Sequence, residues 1–132
     1  MHIVTIELSE VSKKRLALLF EKAHETWYGG HLTVAFKPDP EMAKYLGALI
    51  GTEAKLTAIG HVADERGQAV VIREQLRHDP GTPHITLSCA LGTTPKYSNE
   101  MIQKLWVDSK VRDGSVFDLK VPLELTGTYT AK

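Results

Sequence analysis

Two short segments of the chain repeat one pattern of alternating side chains, HLTV at residues 31–34 and HITL at residues 84–87. Successive side chains of a β-strand point to opposite faces of a sheet. In each segment the histidine and the threonine therefore share one face, which Ala35 and Ser88 would continue, and the aliphatic residues share the other. We predict strands over residues 31–37 and 84–90, each with an aliphatic face in the core.

The segments around these two strands alternate between strand and helix patterns. Alternating and β-branched residues predict further strands at residues 2–8, 54–63, 68–75 and 116–125, with DERG at 64–67 as a hairpin turn. Side chains that can cap a helix precede three helical patterns, at Ser9, Asp39 and Ser98. Apolar spacing predicts that the first helix continues through Trp27 and the last through Trp106. The whole indicates a mixed α+β fold with a largely antiparallel sheet.

Each half of the sequence contains a similar mixture of strands and a helix, with one histidine strand near its middle. This arrangement predicts a duplicated lobe. A chain of 132 residues suits one domain, which we expect to span residues 1–132. A domain of this size can bury a core without disulfides or metals.

Composition narrows the classes of partner. The charges of sixteen basic and sixteen acidic side chains cancel, so the net charge is zero. Proteins that bind long duplex nucleic acid through its phosphates carry an excess of basic residues, so this class of partner is not expected. The single cysteine, Cys89, falls on an aliphatic strand face and indicates a reducing compartment. No apolar run approaches the roughly 18 residues that cross a bilayer. The N-terminal segment contains acidic residues instead of the basic residues that begin a secretion signal. We expect a cytoplasmic monomer that does not associate with membranes.

Two polar strand faces placed side by side would form a cleft with two imidazoles and two hydroxyls. Histidine titrates near neutral pH, so one ring can act as a base while the other acts as an acid. At a phosphodiester, the first would activate the attacking oxygen and the second would protonate the leaving oxygen. Threonine hydroxyls can donate hydrogen bonds to the non-bridging oxygens. This chemistry requires no metal, and we expect no cofactor.

The paired HLTV and HITL segments resemble the two His-x-Thr-x motifs of the two-histidine (2H) phosphoesterase superfamily. The resemblance implies a bilobal α+β fold, with two mainly antiparallel β-sheet lobes around a central cleft and helices packed outside. It implies a cyclic phosphodiesterase acting on a small nucleotide or an RNA end, often a 2′,3′-cyclic phosphate, as in RNA-repair and tRNA-ligase domains. By position, His31 and His84 correspond to the catalytic pair, and Thr33 and Thr86 to the phosphate-binding pair.

Four further residues flank the motif strands and could contact substrate. Lys96 and Tyr97 could meet a phosphate or stack on a base, Tyr28 could border the cleft, and Lys37 could steer an anion. The alternative for each is an ordinary solvated side chain. The other four histidines lie in no repeated motif and are expected on the surface or in the core: His2, His24, His61 and His78. Of these, His61 lies on a strand that could border the cleft.

Several alternatives remain open at this point. Within the same family, the substrate could be a cyclic oligonucleotide second messenger, as for compact phage enzymes. A binding module could hold a nucleotide or RNA end without cleaving it, although the presence of both histidines and both threonines favours an enzyme. The motifs could also be coincidence in an α+β interaction protein. A metal site at His31 and His84 has no spacing signal, and Ser88 lacks the Gly-x-Ser-x-Gly context of a nucleophile.

Overall fold

The computed structural model describes residues 1–109 and 116–132, and within them an antiparallel sheet of seven strands predominates. The strands are β1 (Ile3–Leu8), β2 (Thr26–Trp27), β3 (His31–Phe36), β4 (Glu53–Ala63), β5 (Gly67–Ile72), β6 (His84–Cys89) and β7 (Val116–Ala131). The helices are α1 (Glu10–Leu19), α2 (Pro40–Gly47) and α3 (Tyr97–Ile102), which a π-helical turn (Gln103–Val107) continues. The predicted α+β class is confirmed. In these two stretches, no helix has the length and apolar character needed to cross a membrane.

The order of strands in the sheet is pseudo-symmetric about its centre. The order is β2-β6-β5-β4-β7-β1-β3, so β4-β5-β6 extends to one side of the β4–β7 pair and β7-β1-β3 to the other. Each side contains one motif strand, β3 at one edge and β6 next to the short edge strand β2 at the other, and each motif strand pairs with an antiparallel neighbour. This arrangement agrees with the predicted duplication. The two lobes share one continuous sheet, because the long strands β4 and β7 pair along both of them.

A β-bulge follows the threonine of the first motif. Thr33 lies opposite Thr5 of β1, whereas Ala35 lies opposite Val4, so Val34 is an extra residue on β3. A bulge of this kind changes which face the following side chains occupy. Ala35 is accordingly fully buried in the core, and its predicted place on the polar face is wrong.

The second motif strand contains a bulge at the same place. Thr86 lies opposite Ala69 of β5 and Ser88 opposite Gln68, which makes Leu87 the extra residue. Ser88 is fully buried and donates a hydrogen bond to the side-chain oxygen of Gln68. Both polar faces therefore end at the threonine, one residue before each bulge turns the strand.

The bulged residues also connect the two motif strands through the backbone. The carbonyl of Leu87 accepts a hydrogen bond from the N–H of Tyr28 at 2.7 Å, and the carbonyl of Val34 accepts one from the N–H of Asp79 at 2.9 Å. Tyr28 precedes β3 and Asp79 precedes β6. The segment that leads into each motif strand is thus attached to the other motif strand, which holds the two strands close to one another.

The aliphatic residues of both motif strands lie in one core cluster, as predicted. Each has at most 1% of its surface exposed: Leu32, Val34, Ile85 and Leu87. Burying an aliphatic side chain of this size contributes about 1.5–3 kcal/mol to the free energy of unfolding. The predicted core position of Cys89 is also confirmed, and burial raises the pKa of its thiol.

The first helix is shorter than predicted. It begins after the Ser9 cap, whose hydroxyl accepts from the N–H of Ser12, and it ends at Leu19 rather than at Trp27. Thr26 and Trp27 instead form β2 and pair with the end of β6. Pairing with a neighbouring strand has overridden the local helical spacing of residues 20–27.

The predicted alternation of β7 holds only in part. Leu125 is buried, but Val121 is 81% exposed. The register against β4 changes between Leu123 and Asp118, so residues 119–122 lie opposite the single residue Ile59. This irregularity interrupts the apolar face at the point where β7 passes from one lobe to the other.

Gly127 marks a close approach between β7 and β1. A Cβ at this position would lie 2.6 Å from the backbone oxygen of Glu7 and 2.7 Å from Cγ2 of Ile6. Because the backbone of β1 cannot retreat without breaking its pairing, Gly127→Ala is expected to lower the free energy of unfolding by about 1–3 kcal/mol. Urea denaturation measures this change.

The matched control is Gly47→Ala on α2. A Cβ there would meet only the Met1 methyl at 3.8 Å, and at the last residue of α2 alanine is a better helix former than glycine. This variant should be at least as stable as the parent chain. Equal stability of the two variants would contradict the close approach at Gly127.

Candidate active site

A cavity of about 530 Å³ lies between the two motif strands. Both histidines and both threonines of the motifs line it: His31, Thr33, His84 and Thr86. The bulges and the backbone hydrogen bonds described above bring the two polar faces to this one space. The structure therefore places the four predicted residues together, and their chemical roles remain a prediction.

His84 is held in one orientation by the loop that precedes β6. Its Nδ1 lies 2.9 Å from the carbonyl oxygen of Thr82, and because a carbonyl only accepts, Nδ1 carries the hydrogen. Burial lowers the pKa of His84 below 6.5, the hydrogen bond to Thr82 acts in the opposite direction, and the charge of His31 lowers it further. The ring is thus neutral near pH 7, with a free lone pair on Nε2, and suits a proton acceptor.

His31 is the more accessible ring of the pair. It is exposed at the start of β3, whereas His84 is half-buried. Its charge acts on the titration of His84, so the two rings are electrostatically coupled within one cavity. The more accessible ring of the pair is the candidate proton donor to a leaving group.

Ser98 holds the hydroxyl of Thr86. The two hydroxyl oxygens are 2.8 Å apart, and Ser98 is buried inside α3. Ser98 was predicted as the cap of this helix, but Lys96 occupies the cap position, without a side-chain hydrogen bond. Instead of capping the helix, Ser98 connects α3 to the second motif strand.

Of the four predicted substrate contacts, two line the cavity and a third lies outside it. Tyr28 and Lys96 both line the cavity. Lys37 does not line it, and its ammonium lies 5.3 Å from the ring centre of Phe36. Lys96 therefore supplies a cation to the cavity wall. In the stretches 1–109 and 116–132, no group of three or more His, Cys, Asp or Glu residues could hold a metal ion.

Tyr97, the fourth predicted contact, is not among the residues that line the cavity. Its hydroxyl donates to the carboxylate of Asp64, and its ring lies under the guanidinium of Arg66, 4.1 Å from the ring centre. The hydrogen bond to Asp64 is the main cause that raises the pKa of Tyr97 to about 12. Tyr97 thus packs against the turn between β4 and β5, away from the site.

Several residues that line the cavity were not predicted from the sequence, among them two with aromatic rings, His78 and Phe36. His78 lines the cavity, with Nε2 2.7 Å from the carboxylate of Glu74 and Nδ1 beside the carbonyl of Asp79. Phe36 also lines it, because the bulge moves this residue off the aliphatic face. The sequence carries no periodic signal for either, since one lies in a loop and the other depends on the register of β1.

Comparisons with known proteins support the fold and leave the activity open. No family model matches the chain, and no curated protein matches its sequence. Among solved structures, the chain is similar to a fungal RNA kinase, with a TM-score of 0.66 and 14% sequence identity. The match covers 97% of this chain and 44% of that chain. At this identity the likeness shows a shared fold over less than half of the kinase.

Proposed function

We propose that the chain is a 2H-type phosphodiesterase that hydrolyses a 2′,3′-cyclic phosphate on an RNA end or a nucleotide, without a metal. The observation that carries this proposal is that His31, Thr33, His84 and Thr86 line a single cavity. The cavity volume of about 530 Å³ is within the range of small-molecule sites. The shared fold with an RNA kinase supports RNA as the substrate class.

The neutral, half-buried ring of His84 is assigned as the general base. Its Nε2 takes a proton from a water molecule, whose oxygen forms a new bond to phosphorus. The bond from phosphorus to one ribose oxygen breaks on the opposite side, and His31 gives that oxygen a proton. One water is consumed, and the products are a phosphomonoester and a free ribose hydroxyl. Proton exchange with solvent then restores both rings.

The threonine hydroxyls are assigned to the non-bridging phosphate oxygens, where negative charge grows in the transition state. When the hydroxyl of Ser98 donates to Thr86, the hydrogen of Thr86 is left for the phosphate. Lys96, on the cavity wall, attracts the anionic substrate. These residues bind and stabilise the phosphate, and the two histidines move protons.

The decisive assay is incubation of the purified chain in EDTA with a 2′,3′-cyclic mononucleotide, beside cyclic di- and trinucleotides. The 2′,3′-cyclic mononucleotide is expected to turn over in the presence of the chelator. Preferred cleavage of the cyclic oligonucleotides would instead favour the second-messenger alternative. Tight nucleotide binding without any turnover between pH 5 and 8 would favour a binding module and contradict the proposed hydrolysis.

A further inference from the structure

A second cavity of about 420 Å³ adjoins the first. Four residues line both cavities: Pro80, Gly81, Thr82 and Asn99. Among them, Thr82 also orients His84 through its carbonyl. The two cavities therefore form one groove that runs from the motif residues along α3.

The second cavity has a different chemistry from the first. Within residues 1–109 and 116–132, its remaining lining residues are Glu100, Ile102 and Gln103, so in this part of the chain a carboxylate lines it and no lysine or arginine does. This charge disfavours a phosphate. The side-chain amides of Asn99 and Gln103 offer both donors and acceptors, whereas Ile102 is 1% exposed and belongs to a core cluster. A flat, uncharged group with hydrogen-bonding edges, such as a nucleobase, matches these features.

The helix that carries this second cavity is attached to the motif strand. Ser98 of α3 bonds to Thr86, and the next residue along, Asn99, lines both cavities. The π-helical turn begins at Gln103, whose amide nitrogen donates to Asp108 at 2.9 Å. Turns of this type are frequent at functional sites. The bond to Asp108 orients the amide of Gln103.

We infer that the second cavity is a subsite for a second nucleoside, next to the one whose cyclic phosphate is opened. The inference rests on the proposed function and specifies its substrate class as an oligonucleotide end rather than a lone nucleotide. The phosphate binds among the motif residues, the terminal nucleoside occupies the first cavity, and the neighbouring nucleoside lies against α3.

The test compares a dinucleotide that ends in a 2′,3′-cyclic phosphate with the matching 2′,3′-cyclic mononucleotide. The dinucleotide is expected to show about tenfold higher kcat/KM, the effect of about one net hydrogen bond to the second base. The double variant Glu100→Ala and Gln103→Ala should reduce that ratio to near one while mononucleotide hydrolysis stays at the parent rate. Lys104→Ala, an exposed neighbour outside both cavities, is the control and should keep the ratio.

Affinity for the products separates this inference from the proposed function. Calorimetry with a dinucleotide 2′- or 3′-phosphate and with the corresponding mononucleotide reports binding without turnover. Tighter dinucleotide binding that the double variant abolishes would support the subsite even if neither cyclic phosphate were hydrolysed. Equal affinity of the parent chain for both products, or an undiminished preference in the double variant, would overturn it.

Discussion

Replacing either motif histidine by alanine is expected to lower kcat for a 2′,3′-cyclic mononucleotide by about 10²–10⁴-fold, the usual contribution of a general acid or base. His84→Ala removes the neutral ring that accepts the proton, and His31→Ala removes the ring that protonates the leaving oxygen. Steady-state kinetics in EDTA measures both. His24→Ala is the matched control, because His24 lies outside the cavity, and its rate should match the parent chain.

The pH dependence of kcat/KM tests the assignment of His84 as the base. A base must be unprotonated, so activity falls as pH drops through its pKa. Since burial lowers the pKa of His84, the acidic limb should have its midpoint below pH 6.5. Wild-type turnover by both alanine variants, with folding verified by circular dichroism, would refute the catalytic assignment.

Acidification is expected to lower the free energy of unfolding through His61. This ring, 9% exposed, is stacked between Phe20 and Phe117, with ring centres 5.0 and 4.7 Å away. The amide of Gln68 donates to its Nε2, so the hydrogen is on Nδ1, which has no hydrogen-bond partner among residues 1–109 and 116–132. Burial lowers the pKa of His61 from 6.5 to about 4.

The sign follows from the proton count in the two states. Between pH 6.5 and 4 the unfolded chain holds a proton on His61 that the folded chain lacks, so the stabilisation is complete above pH 6.5 and is lost as pH falls toward 4. The pKa difference corresponds to a free energy on the order of 3 kcal/mol. Urea denaturation at pH 7 and pH 4.5 measures it. His84 contributes in the same direction, because its pKa is also lowered.

The variant His61→Phe distinguishes the contribution of His61 to pH-dependent stability from that of His84. Phenylalanine keeps the stacked ring and removes the titration, while Gln68 loses an acceptor. We expect somewhat lower stability at pH 7 and a much smaller loss on acidification than in the parent chain. An unchanged acid-induced loss in this variant would show that His61 is not the source.

The motif strands could be predicted because their alternation is local. The predicted strands at 31–37 and 84–90 are observed as His31–Phe36 and His84–Cys89. What could not be predicted is where each polar face ends, because a bulge is defined by the partner strand. The burial of Ala35 and of Ser88 depends on how β3 pairs with β1 and how β6 pairs with β5. The four residues of each motif do not determine this pairing.

The loop residues show a second limit. Lys96 and Tyr97 were both predicted as possible substrate contacts, yet Lys96 lines the cavity and Tyr97 packs on Asp64. Neighbouring residues at a helix start point about 100° apart, so a shift of one residue decides which of them meets substrate. His78 was not predicted to reach the site, yet it lines the cavity. It lies in a loop, where no periodic pattern indicates which side chains point inward.

The central position of β7 has a consequence for the order of folding. It is the last strand along the sequence, yet it lies between β4 and β1. Without it, the sheet order separates into β2-β6-β5-β4 and β1-β3, with one motif histidine in each group. During synthesis from the N-terminus, both motifs therefore leave the ribosome before the strand that joins their ladders. Assembly of the cleft waits for a long-range pairing, and an unfinished chain carries both histidines without the complete sheet that supports them.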